Sequence, residues 1–407
     1  MIEDLTKACV HCGFCLPTCP TYVLWNEEMD SPRGRIQLME KTAQGTLRLT
    51  PAVVEHFDRC LGCMACVSSC PSGVRYDLLI EETRALVEDE HPRARGERLQ
   101  RRLLFATLPH PRRLRAALRL APFGRRLPSP RWARPMLDLA PAWRSGARPP
   151  AVTPATGTTA GTVGLLTGCV QSVLFGDVNT ATARVLSAVG YEVHAQAQGC
   201  CGALSQHAGR SRESARFTER LRARFDGVES IVVNASGCGS HLKERGLPAL
   251  DVTEALAGVA FAELHPLELT VAYQDSCHLR HAQRLPAAWK PLLERIPGLR
   301  VVQPAEQDLC CGSAGIYNVT QPDAARELGD RKAANVLSTA ADAYASANPG
   351  CLVQLSQALG RANMPLPALH PVELLDASLR GVPASELLAA ARRGGRPWRA
   401  AGRASST

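Results

Sequence analysis

The sequence contains no long apolar run: no window reaches the roughly 18 consecutive apolar residues that a membrane-spanning helix needs. The residues before the first cysteine are acidic and lack an apolar core followed by small residues, so no secretory signal is predicted. Nucleotide-binding motifs are also missing, because neither a Gly-x-Gly-x-x-Gly turn after a strand nor a Gly-Lys-Ser/Thr loop occurs. We therefore expect a cytoplasmic chain without a nucleotide site of its own.

Aromatic residues are few, at 5%, whereas hydrophobic residues make up 45% and charged residues 21% of the chain. This composition is typical of a soluble globular protein and argues against a fibrous or disordered one. With 407 residues, the chain is long enough for two or three domains, each with its own core.

Acidic residues are scarce in one segment. Residues 91–150 contain 15 Arg and only two acids, Glu97 and Asp138, which gives +13 against +9 for the whole chain. Short amphipathic helices predicted here would dock to anionic lipid or to partner subunits. Nucleic-acid binding is not expected because no recognition motif is present, and an ordinary connector in which arginine replaces lysine is the alternative. The prolines expected to break these helices are Pro109, Pro111, Pro122, Pro128 and Pro130.

Eight of the sixteen cysteines form two blocks with one spacing, Cys-x-x-Cys-x-x-Cys-x-x-x-Cys-Pro. In a reducing compartment, such clustered cysteines indicate metal ligation or redox chemistry rather than disulfides. This is the bacterial ferredoxin run, in which the fourth cysteine of each block binds the other block's cluster. Structural zinc fits poorly because its Cys-x-x-Cys pairs usually lie far apart in sequence. We expect two [4Fe-4S] clusters, one bound by Cys9, Cys12, Cys15 and Cys70 and the other by Cys60, Cys63, Cys66 and Cys19.

The other eight cysteines form two quartets, each with a Cys-Cys-Gly pair at its centre. The first cysteine precedes the pair by 31 positions in one quartet and by 33 in the other. Each quartet could bind metal, share one site with the other, or act as redox thiols. The quartets are Cys169, Cys200, Cys201 and Cys238, then Cys277, Cys310, Cys311 and Cys351.

Short apolar strands alternate with helices around both quartets, which predicts two duplicated α/β units with largely parallel sheets. The fold class we expect is an α+β multidomain protein that begins with a helical ferredoxin-like domain. The predicted divisions are a two-cluster domain over 1–90, an Arg- and Pro-rich connector over 91–161, Cys-Cys-Gly repeats over 162–262 and 263–391, and a disordered tail over 392–407.

Over nearly its whole length the chain resembles the iron-sulfur subunit of bacterial glycolate oxidase, within the larger group of Cys-Cys-Gly domain proteins that includes heterodisulfide reductase subunits. The resemblance is carried by CVHCGFCLPTCPTY at 9–22, DRCLGCMACVSSCPSGVRY at 58–76 and LCCGSAG at 309–315. It implies a subunit of an oxidoreductase complex, with no catalytic residue of its own. Such a subunit receives electrons from a separate FAD-containing subunit that oxidises glycolate, and often D-lactate. It passes them toward the membrane quinone pool, from a peripheral position on the cytoplasmic face of the inner membrane.

One departure from the wider group concerns the end of each repeat. Heterodisulfide-reductase-type repeats end in Cys-x-x-Cys, whereas Cys238 is followed here by Gly-Ser-His and Cys351 by Leu-Val-Gln. The disulfide-cleaving cluster of that group is therefore in doubt, while a third cluster in the C-terminal half stays open. The alternatives are a heterodisulfide-reductase-like thiol or disulfide redox subunit, and the electron-transfer subunit of a glycerol 3-phosphate or D-lactate dehydrogenase.

Several charged side chains near the cysteines allow two interpretations. His207, His278 and His281 could hydrogen-bond a metal-bound sulfur or act at the quinone end, but surface or capping roles are at least as well supported. Arg33 and Arg35 could dock a partner or order the helix between the two blocks, and a solvated role is the alternative.

Overall fold

The computed structural model of the protein describes residues 2–141, 146–196 and 198–393. The tail expected at 392–407 lies outside these ranges except for its first two residues, which end the last helix. The predicted domain divisions stay predictions.

Short helices surround the two cysteine blocks at the N-terminus. Helix α3 (Pro32–Ala43) begins where the Ser31 hydroxyl accepts a hydrogen bond from the Gly34 N–H, as is usual for a helix N-cap. Gly34 is required there, because a Cβ would lie 1.9 Å from the main-chain oxygen of Glu28. The helices are α1 (Ile2–Thr6), α2 (Pro20–Trp25), α3 (Pro32–Ala43), α4 (Pro51–Asp58), α5 (Ala65–Ser68) and α6 (Tyr76–Glu90), with a 3-10 turn, Glu28–Asp30, before α3.

The basic segment folds into helices α7 (Arg95–Thr107), α8 (Pro111–Gly124) and α9 (Arg134–Leu139). Helices α7 and α8 each bury an apolar face, which packs them onto the rest of the chain. The expectation that Pro122 breaks a helix is wrong, because it lies inside α8. Only one backbone hydrogen bond of the last turn is lost there.

The first cysteine-rich repeat contains a five-stranded sheet with the order β1-β3-β2-β4-β5. Strands β2 (Gly161–Leu166), β3 (Tyr191–His194), β4 (Ser230–Val233) and β5 (Ala249–Asp251) are parallel, and β1 (Val152–Thr153) pairs antiparallel with β3 at one edge. The last part of the predicted connector over 91–161 therefore contributes an edge strand. Its helices are α10 (Val170–Leu174), α11 (Gly176–Ala188), α12 (Ala203–Gln206), α13 (Ser211–Arg224), α14 (Ser236–Glu244) and α15 (Val252–Ala255).

The second repeat contains a parallel four-stranded sheet with the order β7-β6-β8-β9. Strands β6 (Leu269–Tyr273), β7 (Leu299–Val302), β8 (Ala343–Ala345) and β9 (Ala368–Leu369) follow the same order as β2, β3, β4 and β5. Its helices are a π-helix (His278–Ala282), α16 (Lys290–Leu293), α17 (Tyr317–Thr320), α18 (Pro322–Leu337), α19 (Pro349–Arg361), α20 (Pro371–Leu379) and α21 (Ala384–Arg393).

The two repeats pack through equivalent elements. Helix α14 contacts the π-helix of the second repeat, and α19 contacts α10 of the first. Each contact joins the helix that contains the last cysteine of one quartet to the helix that follows the first cysteine of the other, so the two contacts are equivalent. One apolar core extends through both sheets. None of the described helices has the length and apolarity needed to cross a bilayer.

Candidate iron-sulfur sites

The two ferredoxin-like blocks repeat one backbone conformation. The residues on either side of each second cysteine are left-handed: His11 (φ 54°) and Gly13 (φ 87°) in the first block, Gly62 (φ 64°) and Met64 (φ 64°) in the second. Each block thus places one glycine in this strained region, at positions that do not correspond. These turns wrap the chain so that three thiols, at intervals of three residues, lie on the same side of the backbone.

The first pocket is lined by Cys9, Cys12, Cys15 and Cys70, together with Cys66. It lies near the surface, because Cys12 is exposed and the other three of the expected ligands are half-buried. The Val74 N–H lies 3.5 Å from Cys70 Sγ and donates to it. Burial raises the pKa of the Cys15 thiol to about 11 and also raises that of Cys9.

The second pocket is lined by Cys19, Cys60, Cys63 and Cys66. All four are buried. Because Cys66 belongs to both walls, the two pockets adjoin. Each pocket draws thiols from both sequence blocks, which is the grouping expected for crossed ligation, although the ligation itself stays a prediction.

Cys60 Sγ accepts two hydrogen bonds. The Gly62 N–H lies 3.4 Å and the Tyr76 hydroxyl 3.6 Å from its Sγ. In the same pocket, the Thr21 hydroxyl lies 3.3 Å from Cys19 Sγ. Donors aimed at a sulfur stabilise a thiolate and, in an iron-sulfur site, help to set the potential.

These residues fit an iron-sulfur cluster by donor type and arrangement. In a tetrahedral zinc site the thiolates converge on one ion, which places the sulfurs about 3.8 Å apart. Within the described ranges, no three His, Cys, Asp or Glu side chains converge on one point in this way. A [4Fe-4S] cluster takes one thiolate at each iron, so its ligands surround a larger body and need no common point.

A buried guanidinium lies directly beside the second pocket. Arg35 is 1% exposed and pairs with the Asp30 carboxylate at 3.1 Å. It donates to the main-chain oxygens of Asp30 at 2.5 Å and His56 at 2.6 Å, and to the Thr21 hydroxyl at 3.1 Å. Its Nη1 lies 4.0 Å from Cys19 Sγ. Helix α3 thus places a positive charge against the thiols of the buried site.

The pKa values of Cys60 and Cys63 are shifted in opposite directions. Burial alone would raise the pKa of Cys60, but Arg35, Arg84 and the hydrogen bonds from Gly62 and Tyr76 together lower it below its ordinary value. For Cys63, burial and the nearby Cys310 both raise the pKa well above that value. Arg84 is held in place by the main-chain oxygens of Cys60 and of His207, the latter at 2.9 Å.

Both quartets form at the carboxyl ends of parallel strands. In the first repeat, the cysteines follow β2, β3 and β4, which are neighbours in the sheet, and in the second repeat they follow β6, β7 and β8. Loops after adjacent parallel strands meet at the same edge of a sheet, which is where α/β folds place their sites. This topology explains why cysteines more than 30 positions apart lie together.

In the first quartet, Cys201 Sγ lies 3.1 Å from Cys238 Sγ. Cys169 and Cys200 pack together beside Phe217. The hydrogen bond that Cys169 donates to Cys200 and burial raise the pKa of Cys169 well above its ordinary value, so this thiol is protonated at neutral pH unless a metal binds it.

In the second quartet, Cys277 Sγ lies 4.0 Å from Cys310 Sγ. The Asn348 amide lies 3.5 Å from Cys351 Sγ and donates to it. A hydrogen bond with Cys310 and burial contribute to raising the pKa of Cys311 to about 12. Lys332 is fully buried, and this burial lowers its pKa. Charge on the nearby thiols of the second quartet acts in the opposite direction.

The second quartet borders the buried ferredoxin-like site. Cys63 and Cys310 belong to one packed apolar group, with Cys277 against it. Helix α5 lies on the π-helix of the second repeat, and the Ser68 hydroxyl is 2.7 Å from His281 Nδ1. The three sets of thiols therefore form a continuous series from the exposed pocket through the buried pocket to the second repeat.

The histidines near the cysteines have different surroundings. His278 Nδ1 lies 3.5 Å from Cys277 Sγ, and its ring stacks edge-on against His207 with centroids 5.1 Å apart. Burial lowers the pKa of His278 to about 4, so it is neutral at pH 7. His281 joins the Ser68 hydroxyl to the Asp308 main-chain oxygen and thus ties the two domains together.

Four residues of the sites were not predicted from sequence as site residues. Arg84 and Lys332 lie outside the motifs quoted above, Tyr76 ends the motif at 58–76 without an assigned role, and for Arg35 the sequence indicates only docking to a partner, ordering of the helix or a solvated position. Arg33 and Arg35 are two positions apart on a helix and therefore lie on different faces, so the sequence indicated different surroundings for the two arginines.

Family models match most of these regions. Residues 163–243 and 271–356 match the cysteine-rich domain, and residues 6–74 match the 4Fe-4S dicluster domain. The chain therefore combines helix and sheet with an N-terminal dicluster domain and a duplicated cysteine-rich domain, and it is an iron-sulfur protein.

Three curated relatives show how far the similarity extends. The glycolate oxidase iron-sulfur subunit of Escherichia coli (strain K12) is 36% identical over 405 residues, 93% of this chain and 95% of the relative. The probable glycolate oxidase iron-sulfur subunit of Bacillus subtilis (strain 168) is 33% identical over 423 residues, 92% of this chain and 94% of the relative. Lactate utilization protein A of Oceanobacillus iheyensis is 26% identical and covers 54% of this chain. Because the first two match it at more than 30% identity over more than nine-tenths of its length, the chain belongs to the family of glycolate oxidase iron-sulfur subunits.

Proposed function

We propose that this chain is the electron-transfer subunit of a complex that oxidises glycolate to glyoxylate, and that it receives electrons from a partner subunit containing FAD and passes them toward a quinone. The oxidation removes two electrons and two protons from glycolate, and the flavin would accept them on the partner. The observation that supports this is the convergence of eight N-terminal cysteines on two adjoining pockets, in a chain similar to glycolate oxidase iron-sulfur subunits along almost all of its length.

The clusters would supply one-electron storage at each site. Cys12 lies at the surface, so the first pocket is where a partner can approach. Arg35 and Arg84 place two positive charges around the second pocket, and positive charge stabilises an added electron. We therefore propose that electrons enter at the first pocket and settle at the buried second one.

Two features mark routes onward from the buried site. Cys63 packs with Cys310, which makes the second quartet the neighbouring set of thiols and a candidate for a third iron-sulfur cluster. Cys60 also borders a cavity of about 580 Å³, enough for a small acceptor to approach this site.

Thiol or disulfide chemistry at the quartets is the weaker candidate. The 3.1 Å separation of Cys201 and Cys238 would allow a disulfide to form with little movement. A hydrogen bond from Cys200 lowers the pKa of Cys201, but the bond that Cys201 donates to Cys238 and burial raise it well above its ordinary value, and a protonated thiol is a poor nucleophile. The match to lactate utilization protein A makes lactate the second candidate substrate for the complex, and D-lactate is the form that the resemblance to glycolate oxidase implies.

The test uses the complex of this chain with its flavin subunit, prepared without oxygen. Adding glycolate should bleach the iron-sulfur absorbance and produce the EPR signal of reduced clusters, and Cys60→Ser should abolish reduction of the second site. D-lactate in place of glycolate tests the second candidate. The proposal fails if glycolate leaves both clusters of the wild-type complex oxidised, or if dye reduction is as fast in Cys60→Ser as in the wild type.

A further inference from the structure

We propose that the outer face of α8 and of the turn that follows it is a docking surface for an anionic bilayer, which we call the α8 face. It consists of Leu120, Phe123 and Leu127 with the arginines around them. This inference adds a membrane-attachment surface to the proposed function. The surface itself is inferred from exposure and charge, and only the purpose of attachment rests on the proposed function.

The apolar part of the α8 face is unusually exposed. Leu120 is 65%, Phe123 64% and Leu127 66% exposed, whereas Leu114 and Leu118 of the same helix are buried. The spacing of 120, 123 and 127 places the three side chains along one line, because residues three and four apart share a helix face. The turn bonded from Leu127 N–H to the Gly124 oxygen continues the helix far enough for this. Helix α8 thus has one apolar face inside and a second one outside.

The charge around this line has one sign. Residues 98–137 contain no Asp or Glu, and their arginines are Arg98, Arg101, Arg102, Arg112, Arg113, Arg115, Arg119, Arg125, Arg126, Arg131 and Arg134. Arg112, Arg113 and Arg126 are exposed and form no ion pair with any described carboxylate. Burial and the nearby charges of Arg148, Arg112 and Arg119 lower the pKa of Arg115, as expected where guanidiniums crowd together without acids.

An anionic bilayer matches both properties. Leucine and phenylalanine side chains partition into the acyl boundary while arginines contact lipid phosphates, which is how interfacial helices bind. Nucleic acid would satisfy the arginines but would leave three apolar side chains in water. The helix need not span the bilayer, which agrees with the absence of a crossing helix among the described residues. Reversible attachment would hold the complex beside a lipid-soluble acceptor.

The experiment measures co-sedimentation of the full chain with vesicles of phosphatidylcholine containing about a third phosphatidylglycerol, and with phosphatidylcholine alone. The chain should bind the anionic vesicles and dissociate at high salt. Leu120→Ser with Phe123→Ser should weaken partitioning by at least about tenfold. Gln in place of Arg112, Arg113 and Arg126 should weaken it by about a hundredfold.

Matched controls remove similar side chains elsewhere. Met364→Ser with Val152→Ser takes two exposed apolar side chains, and Gln in place of Arg48, Arg300 and Arg326 takes three exposed charges. Both controls should bind as the wild type does. Iron content and glycolate-dependent reduction in solution should be unchanged in every variant, which separates a failure here from a failure of the proposed function.

Three results would overturn the proposal. The first is equal binding to neutral and anionic vesicles, the second is wild-type binding by both α8-face variants, and the third is no vesicle binding at all. Loss of binding to the flavin subunit by the α8-face variants, with vesicle binding intact, would make this face a protein interface instead. Tighter binding to DNA or RNA than to anionic vesicles would assign it to nucleic acid.

Discussion

Replacing the buried Arg35 by Gln should destabilise the N-terminal domain. The guanidinium neutralises Asp30, which is fully buried, and removing one partner of a buried ion pair costs about 3–5 kcal/mol. Asp30 keeps two other partners, Arg59 at 2.9 Å and His56 at 3.0 Å. We therefore expect the lower end of that range, about 3 kcal/mol, in the free energy of unfolding measured by anaerobic urea titration of the cluster-loaded chain.

The same substitution should make the buried site harder to reduce. Two unit charges 4.0 Å apart, the distance from Arg35 Nη1 to Cys19 Sγ, interact by about 4 kcal/mol at an effective dielectric constant near 20. At about 59 mV per 1.4 kcal/mol for one electron, this sets an upper limit of about 180 mV. An added electron spreads over a body larger than one sulfur, so we expect a shift of about 50–100 mV to more negative potential.

An EPR-monitored redox titration measures this shift, and Arg33→Gln is the matched control. Arg33 lies on the same helix but is 30% exposed, pairs with Glu28 at 2.7 Å and lines the first pocket rather than the second, so its loss should cost less than about 1 kcal/mol and leave the potential of the buried site unchanged. The reasoning is refuted if Arg35→Gln unfolds at the wild-type urea concentration with the potential of the buried site unchanged, or if Arg33→Gln shifts that potential more than Arg35→Gln does.

Three other changes test separate features. Gly209→Ala should lower the free energy of unfolding by more than about 3 kcal/mol, because its Cβ would lie 2.2 Å from the Arg84 main-chain oxygen at a φ of +82°, whereas Gly227→Ala, at +81° with open space around it, should cost about 1 kcal/mol. Tyr76→Phe removes the hydroxyl 3.6 Å from Cys60 Sγ and should lower the potential of the buried site by tens of mV, with an unchanged iron content. Burial raises the pKa of Asp251 to about 6, so the folded chain holds a proton that the unfolded chain releases near pH 4. Stability should therefore fall by up to about 3 kcal/mol as pH rises from 4 to 7, and a wild-type slope equal to that of Asp251→Asn in pH-dependent urea unfolding would contradict this.

Local spacing carried the most reliable predictions. The ferredoxin runs place three thiols on one turn of chain, so the sequence alone brings them together, and a fixed strand and helix order does the same for each quartet. The short apolar strands expected around both quartets are present as β2, β3, β4, β6 and β7. Strands β5, β8 and β9 have only two or three residues, which is too short for a hydrophobic pattern to be recognised.

Tertiary packing decided what the sequence could not show. Arg33 is partly exposed and Arg35 is buried because α3 turns Arg35 toward the second cysteine block, which lies 25 or more positions away in sequence. The contact between Cys63 and Cys310 depends on how the dicluster domain sits on the second repeat, and no spacing within either region contains that information. Four residues beside the second cysteines of the two blocks are left-handed. Glycine indicates this conformation at two of them, whereas nothing in the sequence indicates it at His11 and Met64.

The central claim is that eight cysteines bind two crossed clusters, and paired substitutions test it most directly. Iron and acid-labile sulfide are measured anaerobically, with low-temperature EPR, on the wild type, on Cys63→Ser with Cys19→Ser, and on Cys12→Ser with Cys19→Ser. The wild type should contain about eight iron per chain with a coupled signal from two clusters, or about twelve if the quartets hold a third. Cys63 and Cys19 should serve the same cluster, so their joint loss should remove about four iron and leave one intact cluster signal. Cys12 and Cys19 should serve different clusters, so their joint loss should remove about eight. Equal iron loss in the two double variants, or loss of one cluster only when Cys12 and Cys19 are replaced together, would contradict the account.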